Sequence, residues 1–325
     1  MTIEMELTPA LVLGASGGFG GAVAHELVAR GRPVRLFARS AARLKARFGD
    51  RAVEVVTGDV QDAAALAKAA QGCGLVVHGV NYPYHQWVPY LQTATLNIIE
   101  ATCAAGATML FPGNVYSLGP ATGRPLDEVA PHRATTRKGK FRIRLEGLLK
   151  EATKGADGKA AIRVLNVRAG DYFGPSARNG LVDRIYGNAA RRKPIDTFGS
   201  LDIMHERVFL PDLARASLDL LALGGALAPY EVVHVTPGTH LTERAFLAEI
   251  ARASGHPGLK VKVMPWAAVR LIGLFNPVIR EFVELAYLYD TTVLLDGTKL
   301  ARLLPQFRFT PLDESLRQTI ASYRR

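Results

Sequence analysis

The stretch LVLGASGGFGGAVAHEL, residues 11–27, constrains the fold more than any other part of the chain. An apolar run ends at Leu13, glycines follow at 14, 17 and 20, and a helical pattern begins. In a strand–turn–helix of this kind each glycine has a physical task. The first permits a tight turn, the middle one lets backbone approach a pyrophosphate, and the third lets helix pack closely on strand. The helix N-terminus then offers free N–H groups and the positive end of its dipole to phosphate oxygens. Gly14, Ser16, Gly17, Gly18, Phe19 and Gly20 are the expected phosphate-binding residues. A tight turn without a ligand is the plain alternative.

The rest of the first half alternates short apolar runs with helical patterns. The expected strands are Ala10–Leu13, Val34–Ala38, Val53–Thr57, Leu75–His78 and Thr108–Phe111. Each is a near-continuous apolar run, as in strands covered on both faces of a parallel sheet. GAVAHELVARG (21–31) and WVPYLQTATLNIIEATCAAG (87–106) read as helices between them. A sixth strand is expected within 161–170, a helix over 209–223 and a further strand over 231–236. Strands alternating with helices predict an α/β fold, a doubly wound parallel sheet of the Rossmann kind. No repeat or linker composition divides the chain, and 48% hydrophobic residues over 325 suffice for a large core.

The end of the second strand bears on the cofactor. An acidic residue there would hydrogen-bond the adenosine ribose of NAD. The chain instead reads VRLFARS, with Arg39 and Ser40 where a 2′-phosphate would be met. NADP(H) is therefore the preferred cofactor and NAD(H) the alternative. A solvent-facing arginine at a helix start is the other reading of Arg39.

Forty basic and 29 acidic residues leave a net charge of +11. Such a charge serves solubility or an anionic ligand. The basic stretches 133–144 and 190–194 come with no nucleic-acid motif, so no nucleic-acid partner is expected. Cys73 and Cys103 have neither metal nor redox spacing, and no His/Cys/Asp grouping suggests a metal, which points to a reducing cytoplasm. Residues 1–10 lack a secretory pattern, and no apolar run reaches the ~20 residues of a membrane span. The expected partner is a small-molecule substrate, with no membrane partner and a homodimer left open.

Further motifs carry a resemblance. GASGGFG opens the chain, GDV (58–60) follows the third strand and VVHGVN (76–81) the fourth. Asn97 lies in TLNIIEA, RAGDYFGP (168–175) follows the sixth strand, and RVFLPDLARA (207–216) comes later. The chain thus resembles the extended short-chain dehydrogenase/reductases of the NAD(P)-dependent epimerase/dehydratase type. The resemblance implies that Asp59 and Val60 lie beside the adenine, and that Gly79, Val80 and Asn81 lie along the cofactor. It also implies a dinucleotide-binding domain over 1–170 and a substrate lobe over 171–325, with 207–236 returning to the sheet.

One element of that family is missing. Its chemistry uses a tyrosine with a lysine four residues on, so that both share a helix face and the lysine charge favours the phenolate. None of the ten tyrosines here has such a lysine. Anchoring on Glu146 puts Lys138 at the tyrosine and Arg142 at the lysine. The usual serines after the fifth strand are replaced by Pro112, Gly113 and Asn114, with Tyr116 and Ser117 nearby. Arg142 can hold a ribose but cannot shuttle protons. Lys138 can act as acid or base if desolvation and the Arg142 charge favour its neutral form. The alternative is a solvated basic helix start with Arg142 paired to Glu146. Lys138, Arg142, Tyr116 and Asn114 are the catalytic candidates. Tyr82, Tyr84, His85, Asp171 and Tyr172, at strand ends facing the ligand crevice, are the substrate-binding candidates. His205 is a lone histidine and reads as structural. Two functions remain: an oxidoreductase or epimerase/dehydratase-like enzyme acting on a carbonyl or hydroxyl with a non-standard proton donor, or a non-catalytic NADP(H)-binding sensor.

Overall fold

The computed structural model describes residues 8–324 apart from 50, 52, 122, 156–160, 176 and 179. The N-terminal reading at residues 1–7 lies outside them. In chain order the strands are β1 (Ala10–Leu13), β2 (Val34–Ala38), β3 (Val53–Thr57), β4 (Leu75–His78), β5 (Thr108–Asn114), β6 (Pro125–Leu126) and β7 (Arg163–Ala169). They continue as β8 (Asp171–Phe173), β9 (Ile195–Phe198), β10 (Arg207–Phe209), β11 (Tyr230–His234), β12 (Val261–Met264) and β13 (Leu294–Leu295). The principal helices are α1 (Gly18–Ala29), α2 (Ala41–Phe48), α3 (Ala63–Ala70), α4 (Gln92–Ala105), α5 (Arg137–Ala152) and α6 (Leu210–Ala222). After them come α7 (Glu243–Ala253), α8 (Trp266–Phe275), α9 (Pro277–Val283), α10 (Thr298–Leu303) and α11 (Leu312–Ala321).

Seven strands form one sheet in the order β11-β7-β5-β4-β1-β2-β3, and β1–β2, β2–β3, β1–β4 and β4–β5 pair in parallel. The doubly wound sheet expected from the apolar runs is thus present. Every residue of β1 and β4 is buried, because helices cover both faces of the central strands. β3, at the edge, alternates between half-buried and exposed, and its Glu54 pairs with Arg35 of β2 at 2.7 Å. The chain winds from β1 out to β3, then returns to place β4 on the other side of β1. That reversal opens the ligand crevice at the C-terminal ends of β1 and β4.

Two compact units make up the chain. The first holds residues up to Gly113, Phe141–Arg168 and Leu213–Val233, and so contains nearly all of the sheet. The second holds Asn114–Lys140, Ala169–Asp212 and residues from His234 onward. Residues 114–140, expected with the dinucleotide-binding part, group with the second unit, and the returning segment is 213–233.

The first unit packs Leu11, Leu13, Phe37, Leu66, Val76, Ile98, Met109, Phe111 and Val164 into one core. Each fully buried Leu or Val contributes about 1.5–3 kcal/mol. Within this core lies a charged pair: Arg168 of β7, 1% exposed, donates to Glu146 of α5 at 2.7 Å. Asn166, two residues back, donates to the Tyr230 hydroxyl at 3.1 Å. This network explains the glycine at 113, since a Cβ there would lie 2.3 Å from the Asn166 amide oxygen and 3.3 Å from Arg168.

The second unit is built from two-stranded pairs, β8 with β10, β9 with β12 and β6 with β13. Arg207 of β10 and Glu243 of α7 form a buried ion pair, and the Thr197 hydroxyl donates to the same carboxylate at 2.9 Å. Phe198, Trp266, Phe282 and Tyr289 form an aromatic cluster, with Phe198 and Phe282 edge to face at 5.3 Å.

Candidate functional site

The glycine loop joins β1 to α1 in the first unit. Gly14 has φ +71, a conformation that side chains disfavour, and a Cβ on it would stand 2.2 Å from the Gly79 carbonyl oxygen. A Cβ on Gly20 would stand 2.7 Å from the Gly14 carbonyl oxygen, and one on Gly79 2.5 Å from that of Leu13. The turns after β1 and β4 therefore touch through backbone alone. Gly17 is the N-cap of α1 and supplies no side-chain cap, so the N–H groups opening α1 at Gly18, Phe19 and Gly20 are available to an anion. Ser16 and Gly17 are exposed. This bare backbone cradle at a helix N-terminus fits the pyrophosphate of a dinucleotide.

Arg39 is exposed at the end of β2 and has no partner among the described residues, while Ser40 is the N-cap of α2. The sequence reading missed Arg47. From α2 its guanidinium donates to the Ser16 carbonyl at 2.8 Å and lies where a side chain on Gly21 would go. Arg43 and Arg47, one turn apart in RSAARLKAR, were the available signal. The field here is positive. Burial first, then the charges of Arg47 and Arg51, lower the His25 pKa to about 4.

Beyond β3, a Cβ on Gly58 would lie 2.5 Å from the Phe37 ring, and Asp59 accepts the Gln61 backbone N–H at 3.0 Å. Asn97 of α4 donates to the Val60 carbonyl at 2.9 Å, tying that turn to the central helix. After β4, Val80 is half-buried and Asn81 exposed. The Tyr82 hydroxyl accepts from Gln61 at 2.9 Å, Tyr84 meets Trp87 edge to face at 5.2 Å, and His85 is exposed. The Arg142 guanidinium sits over Trp87, 4.6 Å from the ring centroid, and 5.9 Å from that of Phe111. The alternative pairing of Arg142 with Glu146 meets a strong competitor, because that carboxylate is held by Arg168.

In the second unit, Asn114 accepts the Tyr116 backbone N–H at 3.1 Å and caps a short turn. The start of α5 lies close by, since a Cβ on Gly139 would be 2.5 Å from the Tyr116 carbonyl oxygen. Lys138 is 4% exposed. Its amine donates to Glu281 and, at 2.7 Å, to Glu284. The other Glu284 oxygen accepts the Lys138 backbone N–H at 3.0 Å, where the positive end of the α5 dipole favours a carboxylate. Burial opposes the charged form of Glu281, but Lys138 and then Arg137 outweigh it and hold its carboxyl below the usual range. One sequence alternative is corrected here: Lys138 is buried rather than a solvated helix-start lysine, and two carboxylates accept from its amine. The sequence reading also missed Glu281 and Glu284, for which a position 143 residues away gave no signal.

Asp171 is exposed and Tyr172 half-buried on β8. His205 has Nδ1 3.9 Å from Asp171 and its ring 5.3 Å from Tyr289. Burial, then Arg207, lowers its pKa to about 4, so it is neutral at pH 7. Among the described residues no three His, Cys, Asp or Glu gather as a metal site, and no helix is long and apolar enough to cross a membrane.

Comparisons agree with this geometry. Residues 14–129 match the NAD(P)H-binding family. No curated protein matches the chain. Among solved structures it is similar to MoeE5 in complex with UDP-glucose and NAD, at 21% identity over 97% of this chain and 98% of that one, with a TM-score of 0.75. UDP-glucuronic acid 4-epimerase from Bacillus cereus, in complex with UDP-glucuronic acid and NAD, gives 15%, 97%, 98% and 0.78. The dTDP-glucose 4,6-dehydratase DesIV from Streptomyces venezuelae, with NAD bound, gives 18%, 97%, 97% and 0.77. At these identities the likeness establishes the fold. The chain is thus a Rossmann-type α/β protein whose residues 14–129 match the NAD(P)H-binding family and whose fold is that of these solved structures.

Proposed function

We propose that the chain is an NAD(P)-dependent oxidoreductase or epimerase/dehydratase-like enzyme acting on a carbonyl or hydroxyl, with Lys138 in the tyrosine's role. The observation that carries the reading is the backbone contact of the Gly14 and Gly79 turns beside the uncapped start of α1. NADP(H) is preferred, because the exposed Arg39, with Arg47 close to the glycine loop, suits a 2′-phosphate. The similar solved structures hold NAD, so Arg39 is the residue that must be tested. The sugar nucleotides bound in two of those structures and the +11 charge favour a sugar-nucleotide-like anion as substrate. Asp171 and Tyr172 are the substrate-binding candidates in the second unit, and Tyr82, Tyr84 and His85 those in the first.

When bound, the dinucleotide supplies or accepts hydride. Arg142 holds the cofactor ribose. Lys138 holds a proton at the substrate oxygen, and Glu281 and Glu284 keep its amine positioned and hydrogen-bonded. Asn114 and Tyr116 orient the substrate beside it. A second reading has a specific support. The two carboxylates on Lys138 also suit a purely structural clasp, which would leave an NADP(H)-binding sensor without turnover. Single-turnover oxidation of bound NADPH against a panel of carbonyl compounds and sugar nucleotides separates the two. Oxidation with at least one substrate supports the enzyme. Tight NADPH binding with no oxidation supports the sensor.

A further inference from the structure

Helices α8 and α9 form a hairpin in the second unit whose two ends differ sharply. At one end Trp266 of α8 and Phe282 of α9 pack into the aromatic cluster with Phe198 and Tyr289. At the other end the chain turns at Asn276, whose side chain accepts the backbone N–H groups of Val278 and Ile279 and so starts α9 immediately. The helices cross closely because Gly273 is buried there, and a Cβ on it would lie 3.1 Å from the Arg280 Cα. The corner thereby pushes its apolar residues outward. Phe275 is 86% exposed, Leu274 69% and Leu271 61%, and Ile272 and Val278 are exposed beside them.

The tip segment itself carries charge of one sign. From residue 264 to 280 there is no aspartate or glutamate, while Arg270 and Arg280 fall in that span. Arg270 and Arg280 flank the tip, are exposed and have no partner among the described residues. The acids that follow in sequence, Glu281 and Glu284, are engaged with Arg137 and Lys138, and the acid that precedes, Glu249, with Arg252. Large exposed apolar side chains at a helical corner, flanked on both helices by an exposed arginine, are what an anionic lipid interface recognises. The apolar groups enter the headgroup boundary while the cations stay at the phosphates.

We propose that the α8–α9 tip docks the protein peripherally on an anionic lipid surface. The occupant is lipid rather than a second copy of this chain, because two such tips would bring their cations together. The proposal does not depend on the reaction assigned above. It revises the expectation that no membrane is involved, without requiring a helix that spans one.

The test is vesicle flotation of the full chain. Mixed phosphatidylglycerol and phosphatidylcholine vesicles are compared with phosphatidylcholine alone, at low and high salt. The wild type is expected to float with the anionic vesicles and to be released by salt. A Leu274→Ser, Phe275→Ser variant should lose about tenfold or more in partitioning. Arg270→Gln with Arg280→Gln should weaken binding and flatten the salt dependence. All four side chains are exposed, so circular dichroism and NADPH binding should stay unchanged. Failure of the wild type to float with anionic vesicles overturns the proposal. So does a concentration-dependent dimer that the serine variant converts to monomer, which would make the tip a self-association surface.

Discussion

The Lys138 amine lies 2.7 Å from one Glu284 carboxylate oxygen, and the other oxygen of that carboxylate accepts the Lys138 backbone N–H at 3.0 Å. One carboxylate thus caps α5 and holds the buried cation. Glu284→Gln keeps an acceptor for the backbone and leaves Glu281 as counter-charge, so it should cost about 1 kcal/mol. The double variant Glu281→Gln, Glu284→Gln leaves a buried ammonium uncompensated and should cost about 3–5 kcal/mol. Urea unfolding of the two variants measures the contrast, and equal losses would show that Glu281 contributes nothing.

The glycines of the loop should separate into two kinds. Gly14→Ala puts a Cβ 2.2 Å from the Gly79 carbonyl at positive φ, so it should destabilise the fold itself. Gly17 is exposed and extended, and a Cβ there stays 3.2 Å from the nearest atom, the Gly14 carbonyl oxygen. Gly17→Val should therefore fold yet lose most of its dinucleotide affinity, read by calorimetry and thermal melting together.

Arg39→Ala should narrow the NADP-to-NAD affinity ratio by about one to two decades, equivalent to roughly 1.5–3 kcal/mol for a charge-assisted contact. Calorimetric titration with both dinucleotides checks this. A wild type that prefers NAD would remove the basis for the assignment.

Glu146→Gln would leave the Arg168 charge buried without its anion and should destabilise the first unit by about 3–5 kcal/mol. Replacing both partners by apolar residues of similar volume should cost much less, because the charge is removed along with its counter-charge. Thermal denaturation of the single and double variants decides.

These contrasts also mark what the sequence makes legible. The first five strand starts were readable because buried parallel strands are near-continuous apolar runs, and β1 and β4 have no exposed residue. The glycine loop was readable because its spacing is local. The setting of Lys138 was not, since its carboxylates come from 143 and 146 residues away and no local pattern couples them. Glu146 shows the same limit. Its i,i+4 spacing from Arg142 suggests a surface pair, but β7 delivers the buried Arg168 to it. Arg47 fell between the two cases: its spacing from Arg43 was visible, and its reach to the Ser16 carbonyl was not.

Acid should destabilise the chain before its carboxylates titrate. Burial, then the nearby charges of Arg142 and Arg207 respectively, lower the His78 and His205 pKa values to about 4. The unfolded chain binds these protons first, near pH 6.5. Their contribution is therefore present above about pH 6.5, is lost as pH falls toward 4, and amounts to about 3 kcal/mol for each. The buried Glu206, whose carboxyl burial raises, acts in the opposite direction. The difference between wild type and a His78→Gln, His205→Gln variant isolates the histidines. The variant should be less stable at pH 7 but lose less between pH 6.5 and 4, by urea unfolding.

The central claim is that Lys138 moves the proton at the substrate oxygen. Its most direct test is single-turnover oxidation of bound NADPH, comparing wild type with Lys138→Met on the substrate that the wild type accepts. The account predicts that Lys138→Met binds NADPH with wild-type affinity and loses at least about a hundredfold in the oxidation rate. A Lys138→Met enzyme that oxidises NADPH at the wild-type rate would contradict it.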